Sequence, residues 1–193
     1  MRFSTILAAA ATAALLAAPS AQAADLSGAR VELVGGWDDA DFDFNSLGQE
    51  PESDGAVYGI GAGYDFAVGR EVALGVDVEA TDSTAGFTFV TGADSSSYAL
   101  GRDLYAGGRL TVAASSRLNF VFKVGYSSAH VRRKLVTPVF AEDVSYTTEA
   151  VRIAGGAQFA IGEKAYVGAE YRWADYDTDL ERGQAIATVG LRF

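Results

Sequence analysis

Beyond its first two dozen residues this chain shows no helical period. Apolar and polar residues alternate instead, in segments of about ten residues separated by turns. Because successive strand side chains point to opposite faces, such segments form strands with one apolar and one polar face. Eight strands are expected: Ala29–Asp38, Ala56–Ala67, Glu71–Thr81, Gly101–Ala113, Leu118–Ala129, Glu149–Ile161, Ala165–Tyr176 and Gly183–Phe193.

The connections sort into two classes. Val68-Gly69-Arg70, Ala114-Ser115-Ser116-Arg117 and Gly162-Glu163-Lys164 are tight turns. The stretches from Trp37 to Gly55, Asp82 to Leu100, His130 to Thr148 and Asp177 to Arg182 are longer and more polar. Short and long alternate strictly. A membrane barrel has this asymmetry, with short periplasmic turns and long external loops, and a soluble sandwich has no reason for it.

The faces say which way the barrel turns. Val72, Leu74, Val76 and Val78 share one face of the third strand, opposite Ala73, Gly75, Asp77 and Glu79. Leu118, Phe120, Phe122 and Val124 form an apolar face on the fifth, and Ala187, Val189, Leu191 and Phe193 on the last. The polar faces collect Glu32, Asp65, Asp77, Glu79, Arg109, Lys123, Arg152, Glu170, Arg172 and Arg192. On the apolar side, Trp37, Tyr58, Tyr126, Tyr171 and Trp173 fall near the long loops, and Phe66, Phe120, Phe159 and Phe193 near the short turns. Two aromatic girdles around an apolar band place lipid outside and charge inside. A periplasmic, lipocalin-like carrier would reverse the faces.

Eight strands enclose a lumen only wide enough for side chains. Charges there must pair, and the polar-face acids and bases are equal in number. Gly59, Gly61 and Gly63 share the luminal parity and leave room for long Arg or Lys side chains from facing strands. The expectation is a packed interior rather than an open pore. A small channel would need those charges to leave a continuous water path.

The ends and the composition fit an exported chain. Arg2, an apolar run from Ile6 to Ala18, Pro19-Ser20 and Ala21-Gln22-Ala23 read as a signal peptide, residues 1–23, cleaved after Ala23. The barrel domain is then 24–193, and no other apolar run is long enough to span as a helix. The net charge is −10, which cleavage deepens by removing Arg2, so nucleic acid is not an expected partner. With no Cys, thiol catalysis and Cys–zinc sites are excluded.

The signal peptide, the eight alternating strands, the alternating loop lengths and the ending Val189-Gly190-Leu191-Arg192-Phe193 resemble the small outer-membrane barrels of proteobacteria. That group includes the OmpA transmembrane domain, OmpX and the opacity-type "porin family" proteins. Tyr166-Val167-Gly168-Ala169-Glu170-Tyr171-Arg172-Trp173 is similar to their penultimate strand. The resemblance covers essentially the whole mature chain. It implies an all-β, eight-stranded antiparallel up-and-down transmembrane barrel in the outer membrane of a Gram-negative cell. It further implies a monomer among outer-membrane lipid and lipopolysaccharide, with the terminal Phe193 read by the barrel-assembly machinery. Unlike full-length OmpA, the chain is expected to carry no peptidoglycan-binding domain.

Candidate chemistry is sparse, and no cofactor, metal or enzyme activity is expected. The single His130 stands near Ser127 and Ser128 at the outer end of the fifth strand, with Ser128 on the same strand face. With Glu142 as the orienting acid, a Ser–His pair would suit a lipid A-modifying acyl hydrolase. The residue order is reversed from that of lipid A deacylases, and a loop-base histidine beside turn serines is the plainer account. Asp38, Asp39, Asp41, Asp43, Glu50, Glu52 and Asp54 crowd the first long loop, where hard cations would find oxygen ligands. The spacing lacks the Gly of an EF-hand, and a solvated acidic loop is the simpler reading. Arg132, Arg133 and Lys134, just above the barrel, could meet lipopolysaccharide phosphates. The sequence-level reading is a structural or surface-interaction barrel whose external loops make the contacts.

Overall fold

The computed structural model describes residues 26–42, 52–177 and 180–193. The predicted signal peptide, Asp43 and Glu50 lie outside these residues. Among the described residues the chain forms nine strands: β1 (Gly28–Phe42), β2 (Glu52–Ala67), β3 (Val72–Ser83), β4 (Gly86–Thr91), β5 (Asp94–Ala113), β6 (Leu118–Thr137), β7 (Phe140–Ala160), β8 (Ala165–Tyr176) and β9 (Leu180–Arg192). Every neighbouring pair is antiparallel. Pairing of β1 with β9 and of β3 with β5 closes a barrel of eight strands and leaves no edge within the membrane. No described helix is long and apolar enough to cross a membrane.

The faces are inside out relative to a soluble protein. Leu33, Ile60, Val76, Val124 and Val151 are more than half exposed, while their sequence neighbours Glu32, Asp77, Lys123 and Arg152 are buried. An apolar face turned outward needs hydrocarbon around it. This overturns the lipocalin-like alternative, whose apolar face would have to point inward.

Two long connections are largely strand. β6 and β7 continue as a hairpin to Thr137 and Phe140, which pair across Pro138-Val139. The second connection holds β4, which turns at Gly92-Ala93 onto the start of β5. Gly92 has φ +64° in open space, the conformation a two-residue hairpin turn requires there. β5, β6 and β7 are 20, 20 and 21 residues long, whereas a membrane needs only about 9–11. Their outer halves, with β4, therefore form a sheet that projects past the membrane. The first acidic loop is also shorter than expected, since Asp39 pairs with Asp54 and Asp41 with Glu52 on the β1–β2 hairpin.

Candidate functional site

The lumen is filled in layers. Nearest the short turns, Arg192 reaches Asp65 at 3.0 Å and Arg30 reaches the same carboxylate at 3.1 Å. Arg30 also bonds Asp77. Glu32 accepts from Arg109 at 3.3 Å, Gln158 at 3.2 Å and the Tyr166 hydroxyl at 2.7 Å. One level higher, Glu79 of β3 holds three cations from across the lumen: Lys123 at 2.9 Å, Arg172 at 3.0 Å and Arg152. Glu170 binds Lys123 at 3.0 Å and also Arg172. The Arg152 guanidinium stacks 3.9 Å from the Tyr105 ring centre.

Above a small apolar patch of Val34, Val57 and Ile186 comes a second polar layer. Arg182 forks onto Asp38 at 2.7 and 2.6 Å and reaches Asp103 at 3.0 Å. Ser127 donates to Asp103, and Tyr176 donates to the same carboxylate at 3.1 Å. The ion pairs join seven carboxylates (Asp38, Glu32, Asp65, Asp77, Glu79, Asp103, Glu170) to seven cations (Arg30, Arg109, Lys123, Arg152, Arg172, Arg182, Arg192). This set is electroneutral, as an enclosed low-dielectric space demands. The gap between Asp103, Arg152, Arg172, Tyr176 and Arg182 has no room for a water molecule. At the outer mouth, Leu100, Val131, Tyr176 and Leu180 form an apolar cap, covered by Phe87 and Tyr146.

The structure thus draws all ten polar-face residues of the sequence reading into the lumen, Glu170 and Arg192 being slightly more open than the rest. It adds Arg30, Asp38, Asp103 and Arg182, which that reading missed or misplaced. Asp38 is fully buried on Arg182, not a solvated loop acid. Parity would have found all four, since Arg30 and Asp38 alternate with Glu32, Asp103 with Arg109, and Arg182 with Arg192. They stand toward strand ends, where apolar alternation fades. Of the three luminal-parity glycines only Gly63 leaves its space to an arginine; Gly59 lies against Thr81 and Gly61 faces Glu79 and Glu32. A Cβ on Gly63 would overlap Arg30 and Asp77, so the space goes to a side chain of the adjacent strand rather than a facing one.

The girdle residues Trp37, Tyr58, Tyr126, Tyr171 and Trp173 lie outward near the long-loop end, and Phe66, Phe120, Phe159 and Phe193 outward near the turns. Tyr126 donates to Glu149, and Trp173 to Glu181 at 2.6 Å. Polar tips of amphipathic rings meet polar groups at the level where the membrane ends.

The proposed Ser–His–acid arrangement does not assemble. Ser127 points into the lumen and is committed to Asp103 and Tyr176, while Ser128, on the His130 face, is in register with Glu149, whose carboxylate accepts from Tyr126. His130 is in register with Thr147, and Glu142 with Leu135. Five residues along an extended strand separate Glu142 from the histidine's partner, about 16 Å. Among the described residues no three potential ligands gather to hold a metal ion. The basic trio also divides. Arg133 stacks over Tyr98 at 5.7 Å, while Arg132 and Lys134 take the opposite, outward parity.

The model of the outer membrane protein beta-barrel domain family matches residues 8–193. The chain belongs to that family. Its fold is similar to the attachment invasion locus protein Ail of Yersinia pestis, solved with the heparin analogue sucrose octasulfate, at TM-score 0.57 and 13% identity over 86% of this chain and 99% of that one. It is also similar to Neisserial surface protein A, at TM-score 0.55 and 17% identity over 86% and 98%. No curated protein matches it by sequence. Family and fold together place the protein in the outer membrane of a Gram-negative cell.

Proposed function

We propose that this protein is a surface-interaction barrel. The membrane part is a closed anchor, and the projecting β4–β7 sheet is the part that meets a partner outside the cell. The observation that carries this reading is the β6–β7 hairpin. It runs roughly ten residues past the Tyr126 girdle, on the order of 30 Å of strand. It ends in an exposed apolar tip of Val136, Val139 and Phe140, with Val139 95% exposed. Apolar side chains held that far from the membrane are costly in water unless something covers them. The likeness in fold to Ail, an attachment invasion locus protein, favours the same reading. The packed electroneutral lumen and its apolar cap disfavour the small-solute channel. The separation of Glu142 from His130 disfavours the lipid A-modifying enzyme.

The test uses cells displaying the full chain and a variant in which the hairpin above Val131 is replaced by a two-residue turn. Both should reach the outer membrane and show the same heat-dependent shift in gel mobility. The wild type should be retained on an epithelial monolayer and the variant should not. Equal retention would overturn the proposal.

A further inference from the structure

The projecting sheet ends on two hairpin tips of different chemistry. The β4–β5 tip obeys the usual rules of a turn in water: Gly92 supplies the positive φ, and Asp94 and Ser95 follow. The β6–β7 tip does not. Thr137 and Phe140 pair across Pro138-Val139, and the seven residues from Leu135 to Ala141 carry no charge. A β-branched residue, Val139, stands almost wholly exposed at the very end.

The apolar end is broader than this one tip. Val90 of β4 lies in a single cross-strand row with Ser95, Val136 and Ala141, so the four side chains share a face. Val90 is 70% exposed. With Pro138, Val139 and Phe140 above it, the row makes an apolar crest along the top of the sheet. Asp94, paired with Thr91, is the one charged group at that level among the described residues.

The height of the crest and its bonding identify what it enters. Lys134 stands opposite Asp143, and the Thr137–Phe140 pair lies three residues further out, about 10 Å along the strand. Glu142, opposite Leu135, lies one step above Asp143. An amphipathic segment in a bilayer interface buries its apolar side about 5–10 Å deep. Main chain that enters such a layer must carry its own hydrogen bonds. Here the Thr137 hydroxyl donates to the Phe140 carbonyl at 3.1 Å, and Pro138 has no N–H to strand. The hydroxyl being committed, the tip offers a protein partner no directional side-chain group, only apolar contact. The charges near the crest balance, Arg132, Arg133 and Lys134 against Asp94, Glu142 and Asp143, so contact with a surface is not driven by charge.

We propose that the crest of Val90, Val136, Val139 and Phe140 inserts into the lipid surface of a facing cell membrane. The inference rests on the projecting sheet being the contact region and names lipid as what it contacts.

The test incubates cells displaying the full chain with fluorescent vesicles of phosphatidylcholine and cholesterol, which carry no protein, and measures the vesicles retained. The wild type should retain several-fold more than cells without the chain, equally at low and high salt. Val139→Asp/Phe140→Asp should fall to the background while keeping the heat-dependent shift in gel mobility. Should that variant fail to fold, Val139→Asp alone should lose most of the retention. Ser145→Asp, which adds the same charge below the crest, should keep it. Equal retention by the crest variants would overturn the proposal, and so would retention that disappears in high salt. Wild-type cells that hold to an epithelial monolayer but retain no vesicles would overturn the lipid contact and leave the surface-interaction reading standing. Failure on both would remove the two together.

Discussion

Arg182 grips Asp38 through two parallel bonds, Nε to Oδ1 at 2.7 Å and Nη2 to Oδ2 at 2.6 Å, and so ties the last strand of the barrel to the first. The two residues lie at the outer end of the β1–β9 seam, two residues out of direct register. Removing one partner of a buried pair strands the other charge, at about 3–5 kcal/mol. Arg182→Met should therefore lower the unfolding free energy in detergent by an amount of that order. The double variant Asp38→Asn/Arg182→Met should recover part of the loss, because the stranded carboxylate is gone. Urea titration of the refolded barrel measures both. If the double variant is no more stable than Arg182→Met, the stranded-charge account of this pair is wrong.

The orientation of the faces makes a sharper contrast. Leu33 is 65% exposed near the middle of the apolar band, and Glu32 beside it is buried. An arginine on the lipid face near the midplane costs about 2–4 kcal/mol. Leu33→Arg should destabilise the barrel by that much, while Asp54→Ala on the exposed β1–β2 hairpin should change stability little. Matched losses for the two in lipid vesicles would contradict lipid contact at Leu33.

Much of this arrangement was legible in the residues, and the exceptions have physical causes. Within the membrane one face meets lipid and the other a closed lumen, so apolar and polar residues must alternate, and Val72 to Glu79 does so without a break. Above the membrane both faces of the β6–β7 hairpin are wet, and nothing enforces alternation. Arg132-Arg133-Lys134 and Glu142-Asp143 then read as loop, although Val131, Val136, Thr137, Val144 and Thr147 are good strand formers. Asp38 reads with its loop neighbours because six acids follow it within sixteen residues.

Glycines beneath luminal tyrosines supply a packing test. The Tyr105 ring lies where side chains at Gly107 and Gly125 would project, and the Tyr166 ring occupies the same place over Gly190. Gly125→Val should press on the Ala106 carbonyl and the Gly107 Cα of the adjacent strand as well as on the Tyr105 ring, loosen its stack on Arg152 and cost about 1–3 kcal/mol by overpacking. Gly69→Ala, in open space at a short turn, should be close to neutral. Heat-shift midpoints of the two variants check the difference. A neutral Gly125→Val would contradict the close packing of this site, for both the ring and the β5 backbone would have to give way.

Glu142 lies too far along the strand to orient His130, which shares its strand face with Ser128. His130→Ala should leave the lipid A profile of an expressing strain unchanged by mass spectrometry. An altered acyl pattern that appears with the wild type and disappears with His130→Ala would restore the enzymatic reading.

The central claim is that the lumen is sealed by its charge network and apolar cap, so that the barrel anchors and does not conduct. Planar-bilayer recording of the heat-shift-positive, folded mature protein tests it most directly. The account predicts a silent membrane at neutral pH and moderate salt. Steady, reproducible conductance steps from that preparation would contradict it, for they require a continuous water path past Glu79 and Arg182.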